Sequence, residues 1–330
     1  MNIYEIAAEA GVSISTISRV INNPEKVSPG TRKRVLDAFA RNNYVPNALA
    51  RGLVKSSSKN IGIISSEIRN LYYATAAHIL EDCFFQWGYT SLLCPTGGSL
   101  EKKLEYVRVL AEKQVDGLVL VGSAFSSPVI EKNIQSYLSN TPIAAINSWL
   151  SCPNVYTFSI DHTAGAEMIL EHLVDHGYEN IYFICCARNQ NTEKKQAAFC
   201  NSMQKRGLPV NDKKNVFTLE CSYENIRFFA KELMPLTRQH TAVIFSNDIA
   251  AGYGLTVFQE MGLSIPEDIA IIGYDNICYP LLHFPQVTAL DTKIEVLSSL
   301  AANTLHDIFN QRSVSNGITV LPELVIRSST

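Results

Sequence analysis

Ser15, Thr16, Ser18 and Arg19 crowd one side of a short stretch near the start of this 330-residue chain. Three hydroxyls and one forked guanidinium suit phosphate oxygens and base edges in the major groove of double-stranded DNA. A second polar set recurs wherever an apolar run ends: Ser65-Ser66-Glu67, Ser123, Asn147, Asp161, Asn247-Asp248 and Tyr274-Asp275-Asn276. Open α/β sheets bind ligands outside the carboxyl ends of their strands. For Asp161, Asp248 and Asn276, capping of a following helix is an equal expectation. Asp275 differs, because no helix is expected after it. A lone carboxylate there can accept from two adjacent hydroxyls, which suits a sugar.

The first set sits on a pattern of short helices. Ile3, Ile6, Ala7 and Ala10 recur at helical spacing, and Gly11 follows where a left-handed terminus belongs. Ser13 then caps a second helix, Ile14 to Ile21, with Ile14, Ile17, Val20 and Ile21 on its apolar side. The pair reads as a helix-turn-helix with residues 14–21 as the recognition helix. Ser28-Pro29 opens a third helix running to about Asn42. Val35, Leu36 and Phe39 are expected inward there, with Arg32, Lys33, Arg34 and Arg41 outward. Residues 47–54 have helical composition but span only about two turns, and Gly52 costs about 1 kcal/mol against Ala. That segment is expected to fold only on DNA. Residues 55–59 read as a polar linker.

From Ile61 onward apolar strands alternate with helix-like segments. The strands fall at 61–65, 90–94, 117–121, 143–147, 181–185, 216–219, 242–246 and 269–273; the helices lie near 74–87, 100–113, 129–139, 163–176, 193–206, 224–234, 249–260 and 294–310. Continuous Val/Ile/Leu strands with helical crossovers imply an α/β fold with parallel sheets covered on both faces. Eight such units fit either two lobes or a (β/α)₈ barrel.

Residues 1–60 hold nine Lys/Arg against four Asp/Glu, whereas the whole chain carries a net charge of −3. A basic head on an acidic body points to a nucleic-acid partner for the head alone. The apolar runs are too short to span a membrane, and no secretory leader is evident. The eight cysteines include no CxxC pair and are expected to be reduced thiols. The sequence has no Walker loop, HExxH, GxSxG or complete GxGxxG motif. Gly252-Tyr253-Gly254 lies inside a helical run. His172 and His176 could share a metal but lack a third ligand, and a solvated helix face is expected.

AGVSISTISRVIN, VSPGTRKRV, NYVPNALARGL, FSNDIAAG, IPEDIAIIGYDN and PELVIRSS, in this order from end to end, resemble the LacI-type (lactose repressor and purine repressor) family of bacterial transcription regulators. The resemblance implies a helix-turn-helix domain (1–46), a hinge helix and linker (47–59), and a periplasmic-binding-protein-like body of two lobes (60–330). The chain would cross between lobes near Ser159, Thr288 and Thr319, giving a first lobe of about 60–158 and 288–318 and a second of about 159–287 and 319–330.

Ile14, Ser15 and Arg19 would then read bases, with Thr16, Ser18 and Asn22 on phosphates. Tyr44, Asn47 and Ala50 would also meet DNA, and Leu53 would wedge into the minor groove. A small effector, a sugar or sugar derivative, would bind between the lobes. Asn247 and Asp275 match family contacts, Asn147 replaces an aspartate, and Tyr72 and Tyr73 match pocket aromatics. Two positions depart. Lys195 stands where the family places arginine, without its bidentate fork, and Cys221 replaces an aromatic wall. Arg188, Lys194 and Lys195 near a helix start allow an acidic sugar; a solvated basic loop is the plainer expectation.

The resemblance implies a cytoplasmic homodimer on a palindromic operator, with no cofactor, repressing carbohydrate-utilisation genes. A chain that stops just after PELVIRSS favours a dimer over a tetramer. Two other readings stay open: a sensor whose head no longer reads sequence, and a sugar-acting α/β enzyme.

Overall fold

The computed structural model describes residues 2–44, 57–210, 215–236 and 240–330. The hinge residues Asn47, Ala50 and Leu53 lie outside the described residues, as does the side chain of Asn22.

Three helices build the head: α1 (Ile3–Glu9), α2 (Ile14–Asn22) and α3 (Pro29–Arg41). Each begins on a side-chain cap. Asn2 accepts from the Tyr4 and Glu5 amides, Ser13 from Thr16 N, and Ser28 from Thr31 N. Gly11 ends the first helical stretch at φ +64°, where a Cβ would be strained. Ile6, Ala7, Ala10, Ile17, Val20, Val35 and Ala38 form the core. Leu36 is 46% exposed, contrary to its expected inward place. Val35 and Ala38, three apart, carry the buried stripe of α3, and Leu36 is turned about 100° from Val35. Ile14 is 41% exposed rather than packed. It opens α2, so its side chain leans back past the core. Glu9 ties α1 to the end of α3 by accepting from Arg41 (3.0 Å) and Asn42 (2.6 Å).

The body holds two six-stranded sheets, not a barrel. The first-lobe sheet comprises β1 (Asn60–Ser65), β2 (Thr90–Pro95), β3 (Gly117–Val121), β4 (Ile143–Ile146), β5 (Val155–Ile160) and β11 (Gly317–Val320). Its order is β11-β5-β4-β3-β1-β2, parallel throughout. Helices α4 (Leu71–Gln86), α5 (Leu100–Glu112), α6 (Pro128–Tyr137) and α11 (Ile294–Phe309) accompany it.

The second-lobe sheet comprises β6 (Asn180–Cys185), β7 (Val216–Thr218), β8 (Thr241–Phe245), β9 (Ile269–Asp275), β10 (Thr288–Asp291) and β12 (Glu323–Val325). Its order is β12-β10-β9-β8-β6-β7, and β12 alone runs antiparallel to its neighbour. The accompanying helices are α7 (His162–Asp175), α8 (Gln190–Lys205), α9 (Tyr223–Leu233) and α10 (Asp248–Glu260). Central strands are buried on both faces, which accounts for their unbroken apolar runs.

The chain changes sheet three times: after Ile160, after Asp291 and after Val320. Thr288 therefore opens a strand of the second sheet rather than marking a crossing. The linker's end is anchored, with the Asp116 carboxylate accepting from Ser58 N (2.7 Å) and Lys59 N (3.2 Å). Gly254 lies inside α10, where a Cβ would sit 2.4 Å from the Phe245 ring, so it serves close helix–strand packing.

His172 is buried, not solvated. Its Nε2 lies 2.8 Å from Thr330 Oγ1, and His176 Nδ1 lies 2.7 Å from the His172 carbonyl. His176 is exposed, as the expected solvated face has it. Among the described residues no cluster of three His, Cys, Asp or Glu could hold a metal, and no helix is long and apolar enough to cross a membrane. All eight cysteines are free thiols.

Candidate functional site

The strand ends of both sheets contribute to one polar cavity. Asn70, Tyr72, Tyr73, Gly122, Ser123 and Asn147 line it from the first lobe. Cys186, Asn189, Asn191, Lys195, Asn247 and Asp275 line it from the second, with Ala187, Thr192 and Ser246. The six residues singled out as effector contacts, Tyr72, Tyr73, Asn147, Lys195, Asn247 and Asp275, all lie on this cavity.

The first-lobe wall starts from Asn70, which caps α4 by accepting from Tyr72 N (2.9 Å) and so fixes where both tyrosines leave the helix. Their rings meet edge to face with centroids 5.5 Å apart. Tyr73 lies against the end of β3, where Gly122 has φ +105° and any Cβ would fall 2.6 Å from the ring. Asn147 follows β4 in a left-handed conformation, φ +54°, which asparagine tolerates better than most residues. Its Nδ2 donates to Tyr72 Oη at 2.6 Å, while its buried Oδ1 has no protein donor.

The second-lobe wall carries the charge. Lys195 is 4% exposed; its Nζ donates to the Ser246 carbonyl (2.9 Å), faces Asp275 Oδ1 at 3.8 Å and lies 4.2 Å from the Tyr274 ring centroid. Asp275 ends β9 at φ +96°, a region a side chain enters at a cost of about 1–3 kcal/mol and which clusters at functional sites. Thr292 Oγ1, on the second crossing, donates to the same carboxylate at 3.3 Å. Thr292 also stands near the Tyr72 hydroxyl. Polar groups thus gather from Asn147 and Tyr72 to Thr292, Asp275 and Lys195, with Thr292 on a connection between the lobes.

Burial raises the Asp275 carboxyl, with Lys195 opposing. Asp248 behind it is raised well above the carboxylate range, by burial first and then by Asp275. Burial, then Lys195 nearby, lowers His162 to about 4 and keeps its ring neutral.

Asn247, not Asp248, caps α10, accepting from Ala250 N at 2.8 Å. Asp248 turns back to accept from Ile277 N at 2.9 Å. Asp161 caps α7 as expected, whereas Asn276 accepts from Arg327 at 2.6 Å and caps nothing. Cys221 lies near Cys186 and Asn247 where an aromatic wall would stand.

The three basic residues of the α8 start do not form an anion site. Lys195 is answered by Asp275 and Ser246, Lys194 lies 3.7 Å over the Trp149 ring, and Arg188 is exposed. Asn70, Asn189, Asn191, Ser246 and Cys186 were not singled out from the sequence as ligand contacts. Cys186 and Ser246 each follow a strand directly, so the strand-end rule applied to β6 and β8 finds them.

The cavity offers about 120 Å³. Ligand pockets commonly offer about 300–1,000 Å³. The lobes are drawn together here, held in part by Ser123 Oγ donating to Asn189 Oδ1 across the cleft at 2.9 Å. A ligand larger than this space must part them.

On the head, Ser15 and Arg19 are exposed, and Thr16 and Ser18 are half-buried. The Ser15 and Thr16 hydroxyls lie 2.8 and 2.9 Å from that of Ser13, which pre-positions them. Tyr44 packs its ring on Phe39, centroids 5.3 Å apart, and is partly buried against the head core.

Residues 2–47 match the family model for bacterial regulatory proteins of the lacI family, and residues 170–330 match the periplasmic binding protein-like domain. The chain is 32% identical to an HTH-type transcriptional regulator of Lachnoclostridium phytofermentans, covering all of this chain and 99% of that one. This chain belongs to the lacI family. The lacI-family protein is also 30% identical, over 100% of its length and 99% of the relative's, to catabolite control protein A of Priestia megaterium. To the transcriptional repressor PurR of Pasteurella multocida it is 31% identical, over 99% and 98% of the two chains. It is a DNA-binding transcriptional regulator.

Solved structures match its fold throughout. A lac repressor dimer bound to operator and the anti-inducer ONPF superposes with a TM-score of 0.86 at 21% identity, covering 100% and 98% of the two chains. A complex of the regulator CelR with cellobiose gives 0.72 at 22% identity, covering both chains fully.

Proposed function

We propose that this regulator is a cytoplasmic homodimer that represses carbohydrate-utilisation genes and is controlled by a neutral sugar held between its lobes. The carrying observation is the convergence of Tyr72, Tyr73 and Asn147 with Lys195, Asn247 and Asp275 on one cavity fed by both sheets. Amides, hydroxyls and one carboxylate suit a polyol, and the internal pairing of both lysines disfavours a phosphate. The relatives are transcriptional regulators by name, and a CelR structure contains cellobiose.

Ile14, Ser15 and Arg19 read bases, while Thr16, Ser18, Asn22 and Tyr44 hold the backbone. Asn47, Ala50 and Leu53 of the proposed hinge (47–59) carry the lobe angle into the DNA. Leu281, Leu282 and Phe284 project 53%, 72% and 88% exposed from one segment, which suits burial against a second copy. A dimer of heads requires a two-fold symmetric operator. The protein is not an enzyme on this reading. Among the described residues Asp275 is the only carboxylate lining the cavity, whereas glycoside hydrolysis uses two.

Selection of bound sequences from random duplex DNA tests the head. The expected product is an inverted repeat, and Arg19→Ala costs about 1–3 kcal/mol with relaxed preference at one base pair per half-site. Retention of DNA without sequence enrichment would leave only a sensor. Thermal stabilisation by neutral sugars, lost in Asp275→Asn, tests the cleft.

A further inference from the structure

We infer that the cleft has an outer subsite built on Trp149, and that the ligand is an elongated glycoside, a disaccharide or longer. This rests on the sugar reading above and narrows its ligand class.

Beside the inner cavity of about 120 Å³ lies a second of about 440 Å³, lined by Ser126, Ser127, Glu131, Trp149, Ser151 and Gln190 among others. The two adjoin on both lobes. Ser123 and Asn189 line the inner cavity, and Ser126 and Gln190, three residues and one residue further along, line the outer one. The Ser123–Asn189 hydrogen bond stands at this junction. The inner space is the smaller of the two, and the direction in which a longer ligand finds room is outward past that bond.

The outer cavity has the chemistry of a sugar platform. A broad aromatic face receives the C–H side of a pyranose, and hydroxyls, an amide and a carboxylate stand around it for the rim. The platform is fixed in advance: Trp149 N donates to Ser126 Oγ (2.9 Å) and Ser151 N to Glu131 Oε1 (2.7 Å). Pre-ordered loops lower the cost of binding. The inner cavity has no aromatic among its second-lobe lining residues, which include Cys186, so Trp149 supplies stacking surface displaced outward.

Lys194 of the second lobe already uses the ring, its Nζ 3.7 Å from the centroid. A second sugar unit competes with Lys194 for Trp149 and with Asn189 for Ser123. Both are contacts between the lobes at the mouth of the cleft. Ligand length is thereby coupled to lobe opening.

Isothermal titration of the full chain with matched sugars tests this: glucose against cellobiose and maltose, galactose against lactose, xylose against xylobiose. Within the binding pair, the disaccharide should bind about tenfold tighter than its monosaccharide. Trp149→Ala should remove that advantage while changing monosaccharide affinity by less than about twofold, and Trp149→Phe should retain most of it. A monosaccharide that binds as tightly as its disaccharide, or a Trp149→Ala variant that weakens both equally, overturns the subsite and leaves the sugar reading standing. Binding by no member of the panel removes the sugar reading and the subsite with it.

Discussion

The first lobe meets the cleft with two tyrosines and a buried amide, the second with a lysine, a carboxylate and a row of asparagines. Yet the strand orders of the two sheets correspond place for place, differing only in the direction of one edge strand. Repeated topology brings strand ends to the same place twice, and the residues there are free to differ. The first lobe offers shape and hydrogen-bond partners without charge. The second holds an ion pair whose members satisfy each other until a ligand competes for them. Thr292, on the strand-to-helix crossing between the lobes, touches both sets. A ligand that rearranges the pair therefore pulls on the joint between the lobes.

The sharpest way to break this contrast is Asp275→Ala. It leaves Lys195 buried at 5% side-chain exposure without its counter-charge, a change that costs about 3 kcal/mol or more in buried pairs. Calorimetry should show the melting temperature falling by roughly 6–12 °C at about 2–4 °C per kcal/mol, with stabilisation by sugars abolished. An unchanged melting temperature would mean the pair is not a structural charge site.

On the uncharged side, Tyr72→Phe deletes the hydroxyl that receives Asn147 Nδ2 and meets Thr292. Stranding a buried amide costs about 1–3 kcal/mol. Sugar affinity should fall about tenfold without a change in its pH dependence, measured by titration calorimetry at pH 6 and 8. An equal loss at the two pH values separates it from variants of the charged wall.

The smallest effect is a gain. The Asp248 carboxyl is raised in the fold by burial and by Asp275. Its stabilising contribution is thus fullest below its unfolded pKa and is lost as pH rises through the higher folded value. Asp248→Asn should raise the melting temperature at pH 8 by roughly 3 °C, and the gain should shrink towards pH 4. A gain that is constant with pH would contradict the assignment.

Central strands and the eight body helices among the described residues were legible because long apolar runs and helical spacing repeat over many residues. The strand β5 and the short strands β10, β11 and β12 were not. Thr288–Asp291 and Glu323–Val325 are four and three residues long, too brief for any period to register, and they happen to flank the crossings. The boundary expected at Thr288 slipped for that reason. Asp275 could be found from its place after an apolar strand with no helix to cap. Asp248 could not be distinguished from Asn247 as a cap, because two adjacent acceptors at a helix start look alike until one turns back to Ile277. Asn189 and Asn191 were hidden the same way: a capping role and a lining role use the same residue type. The partnering of Lys194 with Trp149 joins residues 45 apart across the cleft, and no local pattern announces it.

The most direct test of control from the cleft is titration of a fluorescently labelled selected inverted repeat with the full chain, with and without a saturating stabilising sugar. A cleft coupled to the head shifts the operator dissociation constant by about 5–150-fold, and Tyr72→Phe requires proportionately more sugar for the same shift. An operator affinity that stays the same at saturating sugar would contradict the coupling of cleft to head.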